Sequence, residues 1–401
     1  MDIEAEGKRQ LQIIEQNAET LVPREGLAQK LIRAIREAKP LRVKLGIDPS
    51  APDLTLGHAV VLRKLRAFQD LGHTAVLVVG DFTRRIGDPS GRSKAREPMS
   101  PEEIEGNMRS YREQAATILD PAHTEFRYNS EWLGKLTFAD VIVLSSRYTV
   151  ARMLEREDFQ RRFSRGLPIT VMEFLYPLAQ AYDSVAVRAD VELGGSDQRL
   201  NLLIGRDIQE AYGQEPQVVL TMPLLIGTDG VHAMSQSRGN YIGLGEPPKE
   251  QFGKVMSLPD ELLPQYFALL TDVPWEEVRD LHPKESKKRL AFLIVENFHG
   301  QEEACRAQGH FERVFEAREL PEEVPAVSLP SRLIGEDGTV GILDLVVGSG
   351  LVGSRSAARR LVVQGGVQVD GKRISSPETR VLFRPPLVLR VGRRRFARVV
   401  G

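Results

Sequence analysis

Hydrophobic positions in the first 40 residues recur at helical spacing (Leu11, Ile14, Leu21, Leu27, Leu31, Ile35), with charged residues between them. The pattern ends at Pro40 and predicts a helical leader over 1–40. The period then changes. Leu41 to Ile47 is a short apolar-rich run, a polar loop with Pro49, Pro52 and Gly57 follows, and helical spacing returns from about Ala59 to Leu71. Thr74 to Gly80 (TAVLVVG) is a β-branched run without a polar face, as a strand covered on both sides requires. A charged helical stretch from about Glu102 to Leu119, a strand at Glu125 to Tyr128 and a long helical middle from about Ala139 to Ala186 continue the alternation. Gln217 to Leu225 (QVVLTMPLL) reads as one more buried strand, where the sheet is expected to close. Strands alternating with helices predict an α/β fold with a parallel sheet.

From about 248 to 320 the chain is charged and helical without strand signals, which predicts a separate α-helical domain. Pro321, Pro325 and Pro330 mark a linker over 321–339, because closely spaced prolines cannot continue a helix. A last module occupies 340–401. A chain of 401 residues suits such a division, since single domains usually run to about 100–200 residues.

Composition adds two constraints. With 41% hydrophobic and 27% charged residues, and no apolar run near the roughly 20 residues of a membrane span, a globular protein is expected. The acidic N-terminus lacks the basic and apolar blocks of a secretory signal, so a cytoplasmic location and no membrane partner are expected. The single cysteine, Cys305, supports neither an internal disulfide nor a cysteine-ligated zinc site, so any metal has to arrive with a substrate. The formal net charge of −1 conceals a segregation: Leu351 to Gly401 holds twelve Lys/Arg against two Asp/Glu. A local basic patch on a chain that is otherwise net acidic is the electrostatic footprint of a nucleic-acid module.

Two glycine-bearing loops follow the first two strands, Ser50 to His58 (SAPDLTLGH) and Gly87 to Gly91 (GDPSG). In open parallel sheets, ligands bind where loops leave the carboxyl ends of the strands, and a helix start there offers N–H groups to phosphate. Tyr176, Gln180 and Asp183 are spaced i, i+4, i+7, which puts all three on one helix face. Their surroundings (Phe174, Leu175, Leu178, Val185) are apolar, so that polar stripe should face a cavity.

Lys44 to Ser50 (KLGIDPS) followed by Leu56-Gly57-His58, the Gly87 to Gly91 loop, Glu173 to Asp183 (EFLYPLAQAYD) and Glu192 to Gln198 (ELGGSDQ) resemble, in order, four segments of the bacterial-type tyrosyl-tRNA synthetases of class I. The resemblance implies a Rossmann-like parallel-sheet catalytic domain over 41–247 with a helical insertion, an anticodon-side helical domain over 248–320, and the terminal module. It implies ATP as cosubstrate with Mg2+, and tyrosine, tRNA(Tyr) and a second copy in a homodimer as partners. By the same resemblance Asp183 takes the phenol, while Tyr176, Gln180 and Asp88 hold the α-ammonium, with Gln198 and Lys44 completing the tyrosine site. Asp48, Gly57, His58, Gly195, Asp197, Met234, Ser235 and Gln236 fall to the ATP site. Catalytic roles fall to His58, Thr55, Ser50, Gln236, Arg92 and Arg96.

Two signatures depart from the family pattern. Thr55 stands where the first signature normally begins with histidine, and the usual Lys-Met-Ser-Lys-Ser loop reads Ala233-Met234-Ser235-Gln236-Ser237. Those lysines would stabilise charge developing on pyrophosphate. Two readings follow: an active ligase in which Arg92, Lys94 and Arg96, or His232 and Arg238, supply positive charge, and a synthetase-like paralogue that binds tyrosine or RNA with weak or absent activation. Lys44 also stands where some relatives place a tyrosine.

Gly350 to Leu361 (GLVGSRSAARRL) and Gln364 to Gly371 (QGGVQVDG) resemble the small RNA-binding module shared by a ribosomal small-subunit protein and the tyrosyl enzymes. Arg355, Arg359, Arg360 and Lys372 are its candidate phosphate contacts, and Asp370-Gly371 predicts a type I′ hairpin.

Overall fold

The computed structural model describes residues 2–49, 51–88, 100–316, 325–335, 337–392 and 395–400. The chain forms two compact units, Met1–Ala307 and Gln308–Gly401.

In the first unit the chain runs α1 (Ile3–Glu15), β1 (Thr20–Val22), α2 (Arg24–Glu37), β2 (Arg42–Ile47), α3 (Leu56–Asp70), β3 (Thr74–Val79), α4 (Thr83–Ile86), α5 (Pro101–Ala115) and β4 (Thr124–Tyr128). It continues through α6 (Ser130–Leu133), α7 (Phe138–Ser145), α8 (Val150–Met153), α9 (Glu157–Ser164), α10 (Val171–Val187), β5 (Val191–Gly195), α11 (Arg199–Ala211) and β6 (Val218–Met222). Helices α12 (Pro248–Met256), α13 (Leu263–Leu270), α14 (Trp275–Val278), α15 (Pro283–His299) and α16 (Gln301–Phe311) follow; the division between the units falls within α16.

The sheet order is β1-β6-β5-β2-β3-β4. Strands β2 to β6 are parallel, and β1 pairs antiparallel with β6, Leu21 opposite Leu220. The leader read as wholly helical thus carries an edge strand, and the sheet closes at β1 instead of at the Gln217–Leu225 strand. Three residues inside a helical periodicity are too few to reveal a change of period. From β2 the chain proceeds to β3 and β4 on one side and later to β5 and β6 on the other. The crevice between β2 and β5 is therefore a topological switch point, where a ligand is expected.

Local chemistry sets the helix starts. Ser100 with Glu103 and Thr170 with Glu173 form capping boxes, each satisfying two of the N–H groups left over at a helix start. The buried Arg162 guanidinium pairs with the Glu173 carboxylate, which ties α9 to the first turn of α10. Leu178 and Ala181 of α10 pack on Ile204 and Ile208 of α11 and on Leu144 and Met153 from the inserted helices.

The second unit comprises β7 (Ala326–Ser328), β8 (Thr339–Gly341), α17 (Ile342–Gly348), α18 (Arg355–Val363), β9 (Val367–Val369), β10 (Lys372–Ile374), β11 (Arg380–Leu382), β12 (Leu387–Val391) and β13 (Arg395–Val400). Its sheets are ordered β10-β9-β12-β13-β7 and β11-β8. Asp370 (φ 44°) and Gly371 (φ 78°) form the two-residue turn of the β9–β10 hairpin, both in the left-handed region that a type I′ turn needs. The stretch read as a linker contains β7, which pairs in parallel with β13, Val327 opposite Val399. Its prolines suppress helix, as argued, but an edge strand tolerates them.

Candidate active site

A cavity of about 290 Å³ opens at the carboxyl ends of β2, β3 and β5. Tyr176, Gln180 and Asp183 of α10 all line it, and so does Asp88 from the loop after α4. Carboxylates nearly a hundred residues apart therefore face one space.

Asp183 forms the floor. It is 3% exposed; Trp132 Nε1 donates to its Oδ1 at 2.7 Å and Asn129 Nδ2 to its Oδ2 at 3.2 Å. Burial pushes its carboxyl up to about 7, against the pull of the Lys44 charge and these two donors. Asn129 is itself fixed, since its Oδ1 accepts from Phe82 N at 2.9 Å and its Nδ2 also reaches Thr83 Oγ1 at 3.0 Å.

Higher on the wall, Tyr176 Oη donates to Asp48 Oδ2 at 2.9 Å and Thr83 Oγ1 to Asp48 Oδ1 at 2.8 Å. That approach explains Gly80: a Cβ there would lie 2.1 Å from Asp48 Oδ1. Gln198 Nε2 bridges Asp88 Oδ2 and Asp197 Oδ2, both at 3.1 Å, and burial raises the Asp197 carboxyl above its ordinary value. Gln180 Oε1 is a buried acceptor without a hydrogen-bond partner among the described residues. An unmet acceptor among carboxylates suits a ligand that brings N–H donors, such as an ammonium group.

The opposite side is formed by the start of α3 and the loop that carries Met234. Thr55 caps α3 and is buried; its backbone N–H donates to His58 Nδ1 at 3.0 Å, and its hydroxyl lies at the same distance from that nitrogen. The imidazole is thereby fixed with Nε2–H free to donate, and burial pulls its pKa down to about 4, so it acts as a neutral donor at pH 7. Gly57 lies beside Met234: a Cβ at the glycine would meet Met234 Cβ at 3.8 Å, an ordinary contact. Ala233 and Met234 line the cavity, Ser235 N donates to Asn240 Oδ1 at 2.8 Å, and Gln236 Nε2 holds Asp53 O at 2.8 Å. Beside them His232 Nδ1 lies 2.9 Å from Asp229 Oδ2. Among the described residues no group of three or more His, Cys, Asp or Glu is placed to hold a metal ion.

The structure brings Asp48, Thr55, Gly57, His58, Asp88, Tyr176, Gln180, Asp183, Gly195, Asp197, Gln198 and Met234 to this one cavity, with Ser235 and Gln236 in the adjoining loop. Lys44 does not line it. Its fully buried amine pairs with Glu192 Oε1 at 2.8 Å and donates to Ser184 Oγ at 2.9 Å and Gln180 O at 3.0 Å. Lys44 read as a tyrosine contact is thus corrected to a residue one layer below, because three polar partners hold its amine there. Ser50, Arg92 and Arg96, with Lys94 and the rest of the second loop beyond Asp88, lie outside the described residues. Trp132 and Asn129 were missed; they sit some fifty residues before Asp183, and nothing local marks them.

In the second unit Arg355, Arg359, Arg360 and Lys372 are all exposed. Arg355 pairs with Asp344, and Arg359 lies 3.5 Å from Glu378.

The sequence and the fold have known counterparts. The chain belongs to the class I tRNA synthetase family of the W and Y enzymes, whose pattern matches residues 36–316; residues 341–383 match the S4 domain. Within that family its curated relatives fall on the tyrosine side. The chain is 53% identical to the tyrosine--tRNA ligase of Thermotoga maritima, over 98% of each chain. Against that of Carboxydothermus hydrogenoformans it is 50% identical, again over 98% of each. Among solved structures it resembles the tyrosyl-tRNA synthetase of Archaeoglobus fulgidus complexed with L-tyrosine (TM-score 0.60, 24% identity, 76% of this chain and 100% of that one). The truncated mitochondrial enzyme of Coccidioides posadasii is a second (TM-score 0.62, 22% identity, 77% and 95%). At these identities the two structures speak for the fold.

Proposed function

We propose that this chain is a tyrosine-tRNA ligase: it condenses tyrosine with ATP to tyrosyl-adenylate, releasing pyrophosphate, and passes the tyrosyl group to tRNA(Tyr). The observation that carries the reading is the opening of Asp88 and Asp183 onto one cavity together with Tyr176 and Gln180. Asp183, fixed by Trp132 and Asn129, accepts the phenol hydrogen; Gln180, Tyr176 and Asp88 receive the α-ammonium. A phenylalanine would leave the buried Asp183 without that partner, which in sites of this kind gives discrimination of about 10⁴ to 10⁵; the general case is drawn from a tyrosyl enzyme. His58 Nε2–H and the N–H groups at the start of α3 serve the phosphates, and Asp197 and Gln198 the adenylate's polar groups. Magnesium enters with ATP and neutralises its phosphates.

The domains divide this work as 41–247 for activation, 248–320 toward the anticodon side and 340–401 for RNA, the last through Arg355, Arg359, Arg360 and Lys372. A cytoplasmic location fits, and among the described residues no helix is long and apolar enough to cross a membrane. The exposed large apolar side chains concentrate between 138 and 172, with Phe138 80%, Phe163 65% and Val171 77% exposed. Exposed apolar side chains concentrated in one segment are what a second copy covers in a homodimer, and light scattering of Phe163→Asp should report monomers.

Tyrosine-dependent ATP–pyrophosphate exchange, compared with phenylalanine and tryptophan, tests the activity. Exchange with tyrosine alone is expected. The altered loop favours a second reading: with Ala233 and Gln236 in place of lysines, the chain binds tyrosine or tRNA and activates slowly or not at all. Tight tyrosine binding without exchange would select it.

A further inference from the structure

Beneath Asp183 lies a buried polar layer that the reaction as described does not use. Lys44 of β2 and Glu192 of β5 are 0% and 1% exposed at their side chains and 2.8 Å apart. The lysine's remaining N–H groups go to Ser184 Oγ and to the backbone carbonyl of Gln180, the residues flanking the stretch of α10 that carries Asp183. Glu192 Oε2 in turn accepts from Ser184 Oγ at 3.1 Å and from Gln217 Nε2. Two of the ammonium's donors thus go to α10, and the Glu192 carboxylate stands beside it as the counter-charge. A fully desolvated ion pair is poor value as mere stabilisation, since apolar residues of similar volume do as well or better. Its position against one turn of one helix suggests a task.

We propose that Lys44 is the positioning residue of the phenol subsite: held by Glu192, it anchors the α10 turn between Gln180 and Ser184 and supplies the positive charge that keeps Asp183 an acceptor. This rests on the reading of the cavity as a tyrosine site. Lys44 touches no substrate and acts through Asp183. Of the charged groups on elements packed against α10, Lys44 favours the ionised Asp183 and Glu192 opposes it more weakly. Arg84 of α4, Asp140 of α7 and Arg206 and Asp207 of α11 are further charged groups on those elements, and Trp132 and Asn129 are neutral donors to Asp183.

The test is equilibrium dialysis of the full chain with L-tyrosine and L-phenylalanine from pH 6 to 9, for the wild type, Lys44→Met and Lys44→Met/Glu192→Gln. The single variant leaves Glu192 as an unpaired buried charge and can fail to fold; the double variant removes both charges, so it decides. Its tyrosine affinity at pH 7.5 is expected to drop roughly tenfold, as when a hydrogen bond to a charged group weakens. The acid limb of binding should also move to higher pH, and the preference for tyrosine over phenylalanine should shrink. A folded double variant with wild-type affinity, acid limb and preference overturns the proposal and leaves Lys44 as a neutraliser of Glu192. Failure of the wild type itself to bind tyrosine would overturn the tyrosine site, and this inference with it.

Discussion

The Ala233–Ser237 loop sets the sharpest test of the proposed chemistry. In Ala233→Lys/Gln236→Lys two ammonium groups are placed at the rim, since Ala233 lines the cavity and Gln236 reaches Asp53 O at 2.8 Å beside it. One preorganised contact to charge developing on a leaving group is worth about 10² to 10³ in rate, roughly 3–4 kcal/mol. Against this, Gln236→Lys loses the bond to Asp53 O, which costs about 1 kcal/mol. That leaves about 2–3 kcal/mol for position 236. Two neighbouring cations acting on one pyrophosphate do not add fully, so the double variant should gain roughly 10³, not 10⁵. The assay is ATP–pyrophosphate exchange at saturating tyrosine, with tyrosine binding measured in parallel. Unchanged exchange in a folded double variant that binds tyrosine as before would refute the assignment of this loop to the leaving phosphates.

Trp132→Phe should weaken tyrosine binding by about 10- to 100-fold with thermal stability little changed, because it removes the 2.7 Å donor to Asp183 and keeps the apolar ring; dialysis checks it. His73 is 5% exposed, accepts from Leu41 N at 3.2 Å and is pulled down to about 4 by burial. Its contribution is therefore whole above the unfolded value near 6.5 and is lost as pH falls toward 4, about 3 kcal/mol at about 1.4 kcal/mol per pH unit. Asp183, raised to about 7, runs in the opposite sense over this window, so urea midpoints of wild type minus His73→Gln isolate the histidine. Arg359→Gln/Arg360→Gln should lower tRNA affinity and reduce the salt slope by about 2 in filter binding, since each arginine that leaves a phosphate releases about one counterion fewer.

What could be read from the chain depended on how local the determining physics is. The TAVLVVG run marks β3 because a strand covered on both faces is nearly continuous in apolar residues. Asp370-Gly371 marks its hairpin because few residue pairs accept two positive φ values. Tyr176, Gln180 and Asp183 announce a shared face through spacing alone. The partners of Asp183 do not: Trp132 and Asn129 reach it only because β4 ends beside α10, a fact of topology. Lys44 misled for a similar reason, as its strand position says which face it takes but not that Glu192 stands directly opposite it on the neighbouring strand β5. The edge strand β1 was hidden by brevity, its three residues stabilised by β6 and by nothing in their own pattern.

The floor under Asp183 has a practical corollary for amino acid analogues. Strand-end, short-helix and long-helix groups interlock there through Asn129, Thr83, Trp132 and Asp48, so the space beyond the ring is bounded by a braced wall and not by a yielding side chain. With the phenol on Asp183 as proposed, analogues enlarged at the para position would have to dismantle that bracing, so engineering this chain toward new amino acids begins at Trp132 and its neighbours.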